Sequence, residues 1–473
     1  MPTAPPPPDS VEQPVDQLVK QPIDQSIDQS IDQPVDQLVD RQIDQLVAEQ
    51  LRCADQLLSA LGMSRFRQRP PWWGPDLQTL RDTLLPVALP AEQGQKIEFP
   101  LAGGDRLLAL LDKPLAGKRP RALVLLLHGL GGSSDREGLR RMALTLQSAQ
   151  LAVLRLNLRG ADPGRQLAPG TYAANCNADL LPVVAQARQL AQELGGSAAA
   201  LPLLGVGISL GGTMLLNACL AGAELDGLVC TSSPLDLADC SAQIELPRNR
   251  IYQRWLLRRL IAQTLADPFG ISPAERQALG GPRPPRTIRA FDAAITAPRW
   301  GYGSVEHYYA AASPLAQLQA GAPQLPPTLL LHALDDPWVP AAPALSLASI
   351  QALAPSPDPA LSLSQAPALN TSGGAAALTP GAQSSRLQLL ITRHGGHNGF
   401  HGQGDGRHEI YAGGAGSDSH GDGGGDWELD ETDRAYAGAD GSPQQKATAK
   451  QMPGCWGDRL TARWLQHQLD LNG

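Results

Sequence analysis

A serine whose surroundings are typical of an enzymatic nucleophile stands at position 209. Ser209 is the centre of a Gly-x-Ser-x-Gly motif at residues 207–211, directly after an apolar run at residues 203–206. In this motif a strand ends, the chain turns sharply and a helix begins, so the serine hydroxyl projects above the edge of a sheet. The residues two before and two after the serine approach each other closely, and glycine avoids the clash. We therefore predict that Ser209 is a nucleophile.

An acidic turn supplies the candidate carboxylate. A serine hydroxyl is a weak nucleophile near neutral pH, so it requires a base and a carboxylate that orients the base. The predicted strand at residues 328–333 is followed by Asp335 and Asp336, and a Val-Pro pair stands at residues 339–340. This placement favours Asp336 as the carboxylate. Asp335 is the alternative, and both aspartates could instead serve only to form a turn at the strand end.

The candidate base is His397. It lies in a glycine-rich loop after the predicted strand at residues 387–392, and the glycines allow the loop to curl back over the sheet edge. His394 is nearer the strand, and we predict that it is a hydrogen-bonding loop residue. The resulting chain order of Ser209, Asp336 and His397 is that of hydrolases with this nucleophile turn.

Acyl transfer also requires hydrogen-bond donors for the oxyanion that develops on the attacked carbonyl. The backbone N–H of the residue after the nucleophile is one donor, which predicts Leu210. The second donor comes from the loop after the third strand. That loop is His-Gly-Leu-Gly-Gly-Ser at residues 128–133, and Leu130 is the predicted donor.

The alternation of strand and helix patterns predicts the fold class. The strand patterns are apolar throughout and do not alternate with polar residues, which is typical of a parallel sheet covered by helices on both faces. The sequence therefore predicts an α/β fold with a mostly parallel sheet of roughly eight strands. The predicted strands are residues 96–101, 107–111, 122–127, 152–157, 202–207, 227–231, 328–333 and 387–392, and the predicted helices include residues 136–147, 173–194, 212–220 and 456–471.

Several stretches resemble the YheT-type branch of the α/β-hydrolase superfamily, which includes carboxylesterases and mammalian lipase-like enzymes. The resemblance covers roughly residues 65–400 and the terminal helix. It implies the α/β-hydrolase fold, a cap inserted after strand 6, and Ser209, Asp336 and His397 as a catalytic triad. Gly131 stands where the family often has an acidic residue, a change that should not affect donation by the loop backbone. The similar motifs are the aromatic, glycine and Leu-Gln-Thr signature at residues 71–80, the loop at 128–133, the Asn-x-Arg-Gly turn at 157–160, the cap pattern at 291–309 and the Gly-Gly-His-x-Gly-Phe loop at 395–400.

Composition divides the chain into one predicted domain and low-complexity segments. Val or Ile recurs every four residues from 11 to 47, and prolines interrupt this repeat. We predict that residues 1–64 are largely disordered apart from a helix at 40–61, with self-association of the repeat as the alternative. The hydrolase domain is predicted at 65–401, with a cap at about 235–313 and a low-complexity insertion at about 355–383. A Gly/Asp/His-rich insertion at 402–452 and a terminal helix within 453–473 follow.

Charge, cysteine usage and hydropathy exclude several classes. The formal net charge is −8, and no clustered basic face of the kind that binds nucleic acid is evident. The six scattered cysteines predict reduced thiols and a cytoplasmic location. No apolar run approaches the ~18 residues that span a membrane. No cofactor is predicted, because the sequence has no phosphate-binding loop. No metal site is predicted either. We attribute to low complexity the two features that could suggest one, which are the calcium-repeat-like segment at 413–418 and the histidines His401, His408 and His420.

These patterns predict a serine hydrolase that cleaves carboxylic esters of small-molecule or lipid-like substrates. The cap at about 235–313 is expected to set acyl-chain and alcohol preference. An acyltransferase with an alcohol acceptor and a non-catalytic binding protein of the same fold are the alternatives. The basic, apolar stretch at residues 250–261 could contact a lipid surface, although a cap helix packed on the domain is the simpler interpretation.

Overall fold

The computed structural model describes residues 35–353 apart from 87, 197–199 and 323, residues 386–405 apart from 404, and residues 454–472. The chain divides into two units, residues 1–45 and residues 46–473. The predicted insertion at 355–383 lies outside the described residues. Residues 1–34, which include much of the repeat, also lie outside the described part. The same holds for nearly all of the predicted insertion at 402–452, including the calcium-repeat-like segment, His408 and His420.

An eight-stranded sheet forms the centre of the second unit, and its fold is the predicted one. The strands lie in the order β1-β2-β4-β3-β5-β6-β7-β8. The six strands from β3 to β8 run parallel, and β1 and β2 are antiparallel at one edge. The strands are β1 Gln95–Pro100, β2 Arg106–Asp112, β3 Ala122–Leu127, β4 Leu151–Leu156, β5 Leu203–Ile208, β6 Gly227–Thr231, β7 Thr328–Ala333 and β8 Leu387–Thr392.

Helices cover both faces of this sheet. The helices outside the segment between β6 and β7 are α1 Val35–Ala60, α2 Gly74–Leu84, α3 Glu137–Ser148, α4 Asn177–Gly195, α5 Leu210–Leu220, α13 Ala342–Leu353 and α14 Trp456–Asn472. Between β6 and β7, where the cap was predicted, lie α6 Leu237–Glu245, α7 Arg250–Leu265, α8 Pro273–Gly280, α9 Ile288–Phe291, a π-helix Asp292–Thr296, α10 Ala297–Arg299 and α11 Val305–Ala312, and α12 Leu315–Gln319 leads into β7.

The core has one apolar cluster on each face of the sheet. Every residue of β3 is buried, and its side chains alternate between the two faces as strand geometry requires. Leu125 joins the cluster that includes α4 and α5. Leu126 joins the cluster that includes α3 and α14. Two-sided burial explains why the central strands read as continuous apolar runs.

The end of α1 is part of this core. Ala54, Leu58 and Leu61 are buried and join the cluster that includes α3 and α14. Ala54 and Leu58 lie four residues apart on one face of α1, and Leu61 follows directly after the helix ends at Ala60. These residues belong to the second unit, which begins at Leu46.

Candidate active site

The turn between β5 and α5 holds Ser209 in an uncommon backbone conformation. Its φ of 55° and ψ of −127° lie outside the regions that non-glycine residues ordinarily adopt. The Ser209 N–H donates at 2.8 Å to the carbonyl of Thr231, the last residue of β6. Such strain persists only where the surrounding structure fixes it, and it is typical of functional sites.

Three glycines make this turn sterically feasible. A Cβ atom at Gly207 would lie 2.3 Å from the backbone of Gly212, and one at Gly211 would lie 2.7 Å from the carbonyl oxygen of Leu127. A Cβ atom at Gly212 would lie 2.0 Å from Ser233 Oγ. The Gly-x-Ser-x-Gly motif contains the first two glycines, and Gly212 directly follows it.

We expect Gly207→Ala to lower the free energy of unfolding by about 1–3 kcal/mol, because the added methyl group meets backbone that cannot rotate away. Urea denaturation followed by circular dichroism measures this change. Gly280→Ala is the control, since a Cβ atom there meets nothing within 4 Å. Equal stability of both variants would contradict the close approach of β5 and α5.

His397 connects Ser209 to Asp336. The ring Nε2 lies 2.9 Å from Ser209 Oγ. The ring Nδ1 lies 2.9 Å from Asp336 Oδ2 and 3.2 Å from Oδ1. His397 and Asp336 are both buried. With Nδ1 donating to the carboxylate, the second ring nitrogen is free to accept the serine proton.

The two adjacent aspartates have different partners. Asp336 Oδ1 accepts from the backbone N–H groups of Trp338 and Val339 at 2.8 and 3.0 Å. Burial alone would raise the pKa of Asp336, but the neighbouring His397 and these hydrogen bonds hold that pKa below its ordinary value. Asp335 Oδ2 instead lies 3.3 Å from His394 Nδ1, and Asp335 Oδ1 accepts from the Gly396 N–H at 2.9 Å. His394 is therefore a hydrogen-bonding loop residue.

The sequence motifs did not predict the contact between Trp338 and His397. The indole stacks on the imidazole with a centroid separation of 4.4 Å and an interplanar angle of 27°. An aromatic face beside the ring restricts the orientation of the imidazole. Trp338 lies two residues after Asp336, and this proximity in sequence is the one signal that could have suggested its role.

Helix α2 fixes the loop that carries His397. Thr79 Oγ1 accepts from the His397 N–H at 2.9 Å. Gln78 accepts from the His401 N–H at 2.8 Å and donates to the His401 carbonyl at 3.0 Å. A Cβ atom at Gly396 would lie 2.5 Å from the carbonyl oxygen of Pro75, so the loop approaches α2 closely. The Leu-Gln-Thr signature thus has a positional function that its sequence alone did not reveal.

The residues of the two predicted oxyanion donors, Leu130 and Leu210, line the same cavity as Ser209. Leu210 is the first residue of α5, and the first N–H groups of a helix have no acceptor within that helix. Leu130 lies between Gly129 and Gly131, and Tyr172 forms a hydrogen bond with the backbone of each. The Tyr172 hydroxyl accepts from the Gly131 N–H at 2.6 Å and donates to the Gly129 carbonyl at 3.1 Å.

His128 provides a second anchor for the Leu130 loop. Burial lowers the pKa of His128 to about 4, so the ring is neutral at physiological pH. Nδ1 lies 2.9 Å from the Gly129 carbonyl, and Nε2 lies 3.3 Å from the N–H of Leu158 after β4. Donation from Nδ1 and acceptance at Nε2 satisfy both ring nitrogens. Neither Tyr172 nor His128 was assigned a role from sequence.

A cavity of about 330 Å³ lies over Ser209 and His397. Apolar side chains from the segment between β6 and β7 form much of its wall, and they include Ile244, Leu256, Leu260, Ile288 and Phe291. Among the described residues, no group of three or more His, Cys, Asp or Glu side chains is arranged to hold a metal ion. The arrangement suits acyl transfer to a serine in an apolar pocket.

Comparison with known proteins assigns the family. A family model described as serine aminopeptidase S33 matches residues 118–361, which is more than half of the chain. The chain belongs to this α/β-hydrolase family. YheT, a candidate esterase of Escherichia coli K12, is 32% identical over 255 residues, which cover 52% of this hydrolase and 69% of YheT. This hydrolase is therefore a member of the YheT-type branch, as its motifs predicted.

Two further relatives are more distant. Phospholipase ABHD3 of Mus musculus is 26% identical over 290 residues, which cover 59% of this hydrolase and 58% of the relative. Medium-chain fatty acid ethyl ester synthase/esterase 2 of Saccharomyces cerevisiae is 28% identical over 249 residues, which cover 46% of this hydrolase and 51% of the relative. Among solved structures, the esterase Pf2001 of Pyrococcus furiosus is 13% identical with a TM-score of 0.38, and the match covers 71% of this chain and 90% of that chain.

Proposed function

We propose that this hydrolase cleaves carboxylic esters through Ser209, His397 and Asp336. The observation that carries the proposal is the continuous hydrogen-bonded chain from Ser209 Oγ through the His397 ring to Asp336, with 2.9 Å at each link. The strained backbone of Ser209 and the family of the chain support the same assignment.

The chemistry proceeds in two half-reactions. Ser209 Oγ attacks the ester carbonyl carbon while His397 Nε2 takes the hydroxyl proton, and a tetrahedral oxyanion forms. The bond to the alcohol oxygen then breaks, and His397 gives its proton to the departing alcohol. In the second half-reaction His397 deprotonates a water molecule that attacks the acyl-enzyme, and the carboxylic acid leaves as Ser209 recovers its proton.

The remaining groups have supporting roles in this proposal. The backbone N–H groups of Leu130 and Leu210 donate to the oxyanion, where one lost donor costs about 10²–10³ in rate. Asp336 stabilises the His397 imidazolium, and its lowered pKa keeps it ionised for that purpose.

A series of p-nitrophenyl esters of graded chain length tests the proposed activity. We expect hydrolysis that obeys saturation kinetics, with a preference for chains that the apolar cavity accommodates. Release of p-nitrophenol at the same rate with heat-denatured protein would contradict the proposal.

Acyl transfer to an alcohol is the second candidate function. It differs only in that an alcohol replaces water in the second half-reaction, and the printed name of the yeast relative includes both ester synthase and esterase. Product analysis with added ethanol distinguishes the two. A new ethyl ester that forms in proportion to the alcohol would identify a transferase, whereas free acid alone would identify a hydrolase.

We also propose a cytoplasmic location with peripheral contact to anionic lipid through α7. Each of the six cysteines is a free thiol, which suits a reducing compartment. Within the described residues, no helix is both long and apolar enough to cross a membrane.

Helix α7 has four arginines and no acidic residue. It buries Tyr252 and Leu256 yet exposes Ile251 by 81% and Trp255 by 45%. Trp255 also lines the cavity over Ser209, so the exposed face of α7 lies beside that cavity.

We expect Arg254→Glu to weaken binding to phosphatidylglycerol vesicles about fivefold or more, since the loss of one basic residue near an anionic surface costs about 1 kcal/mol. Vesicle co-sedimentation measures the change, with phosphatidylcholine vesicles as the neutral comparison. Ile251→Glu should weaken binding as well, whereas Leu471→Glu, at an exposed position of α14, should not. Binding that none of these changes alters would exclude α7 as the contact surface.

A further inference from the structure

A carboxylate that the proposed chemistry does not use lines the cavity over Ser209. Asp292 is half-buried, and it lines the cavity together with Ser209 and His397. Burial raises the pKa of Asp292 to about 6, so the group is mostly ionised at neutral pH. A carboxylate in a predominantly apolar pocket is costly unless it has partners, and this cost calls for an explanation.

The partners that Asp292 has are neutral hydroxyl groups. Thr296 Oγ1 donates to Oδ1 at 2.7 Å, and the Tyr309 hydroxyl donates to Oδ2 at 2.9 Å. Within the described part of the chain, no basic side chain forms an ion pair with Asp292. A carboxylate has about four acceptor sites, so acceptor capacity remains on both oxygens after these two bonds.

The local backbone and the neighbouring groups make this spot distinct from the rest of the cavity wall. Asp292 begins a π-helix that ends at Thr296, a rare element that occurs frequently at functional sites. Ser241, whose Oγ lies 3.4 Å from the Tyr309 hydroxyl, also lines the cavity. Four polar side chains, those of Ser241, Asp292, Thr296 and Tyr309, thus meet in one part of a cavity whose nearby walls are apolar. A few placed polar groups of this kind commonly orient a ligand.

We propose that Asp292 and its hydroxyl neighbours form a substrate subsite that binds a hydroxyl or amine donor carried by the ester. This inference rests on the proposed ester hydrolysis and names a substrate class for it. The substrate donates an O–H or N–H hydrogen to Asp292 while its carbonyl lies at Ser209. A purely hydrocarbon ester leaves the carboxylate without this additional donor.

The first test compares glycerol monobutyrate with propyl butyrate, two esters of one acid whose three-carbon alcohols differ by the free hydroxyls. We expect the wild-type protein to have a kcat/KM for the glycerol ester about tenfold higher or more, as for a hydrogen bond to a charged group. Hydrolysis of both esters with equal kcat/KM would overturn the subsite proposal and leave the proposed ester hydrolysis intact. Hydrolysis of neither ester by folded protein would count against the proposed function itself.

The second test measures the same ratio in Asp292→Asn. The expected result is a fall in the glycerol preference of about tenfold, with Ser209 labelling by a fluorophosphonate and thermal unfolding used to establish that the variant is folded. Asp239→Asn is the control, because Asp239 is an exposed carboxylate of α6, and its ratio should match that of the wild type. An unchanged preference in folded Asp292→Asn would overturn the proposal. If Asp292→Asn does not fold, the wild-type ratio of kcat/KM for the two esters decides whether the subsite proposal stands.

Discussion

Replacement of Ser209 by alanine should reduce kcat for ester hydrolysis by roughly 10⁵–10⁶-fold, because removal of the nucleophile leaves the other members of the hydrogen-bonded chain without function. KM should change little, since the cavity walls that bind the substrate are untouched. Steady-state kinetics with a p-nitrophenyl ester measures both parameters. The variant should remain folded, because alanine can replace the Ser209 side chain without adding volume to the turn.

A control at a neighbouring hydroxyl separates nucleophile loss from disturbance of the turn. Ser233 is buried next to the turn and its Oγ lies 3.3 Å from the Thr231 carbonyl, yet no proposed step uses it. Ser233→Ala should retain activity within about tenfold of the wild type. A Ser209→Ala protein with substantial ester hydrolysis would mean that another group performs the attack.

Replacement of Asp336 by asparagine should reduce kcat by about 10⁴-fold with little change in structure. An asparagine at this position cannot stabilise the His397 imidazolium, and it can present an N–H to Nδ1 and favour the wrong tautomer of the ring. The backbone N–H groups of Trp338 and Val339 can still donate to the remaining oxygen. The same ester assay, with kcat measured at saturating substrate, tests this expectation.

The adjacent carboxylate provides the matched control for Asp336. Asp335→Asn removes a charge one residue away, but Asp335 contacts His394 and the Gly396 N–H and not the His397 ring. We expect a loss of no more than about tenfold for Asp335→Asn, because it affects only the support of the loop. A larger loss for Asp335→Asn than for Asp336→Asn would reverse the assignment of the acid.

The fold was largely predictable from the sequence because burial on both faces gives the central strands a strong local signature. Each of the eight predicted strands exists, since runs such as Ala122–Leu127 are apolar throughout and end at turn residues. The sequence also predicted that Ser209, Asp336 and His397 lie close together, because the carboxyl ends of parallel strands lie at one sheet edge, and the structure places the three side chains within hydrogen-bond distance of one another in series.

The groups that support the site were not predictable, because they approach it through contacts between distant parts of the chain. Tyr172 reaches the Leu130 loop, and Thr79 reaches His397 across 318 positions in sequence. Neither residue has a neighbouring motif that specifies its partner. Asp292 was noted only as part of a family pattern, and its place in the cavity wall depends on the packing of the segment between β6 and β7.

The end of α1 shows that the packing of a helix cannot be predicted from a repetitive sequence pattern. The Val/Ile repeat suggests low complexity up to about residue 64, but Ala54 and Leu58 have the four-residue spacing of one helix face. Both are buried in the core. The sequence predicted a helix at residues 40–61, but its burial depends on tertiary contacts that local composition does not specify.

The central claim is that Ser209 is an activated nucleophile, and covalent labelling tests it most directly. Folded wild-type protein is incubated with a fluorophosphonate probe, digested and mapped by mass spectrometry. We predict a single labelled residue, Ser209, with labelling abolished by Ser209→Ala and strongly slowed by His397→Ala. Absence of label on Ser209 in the folded wild-type protein would contradict the claim and favour a non-catalytic binding protein of the same fold.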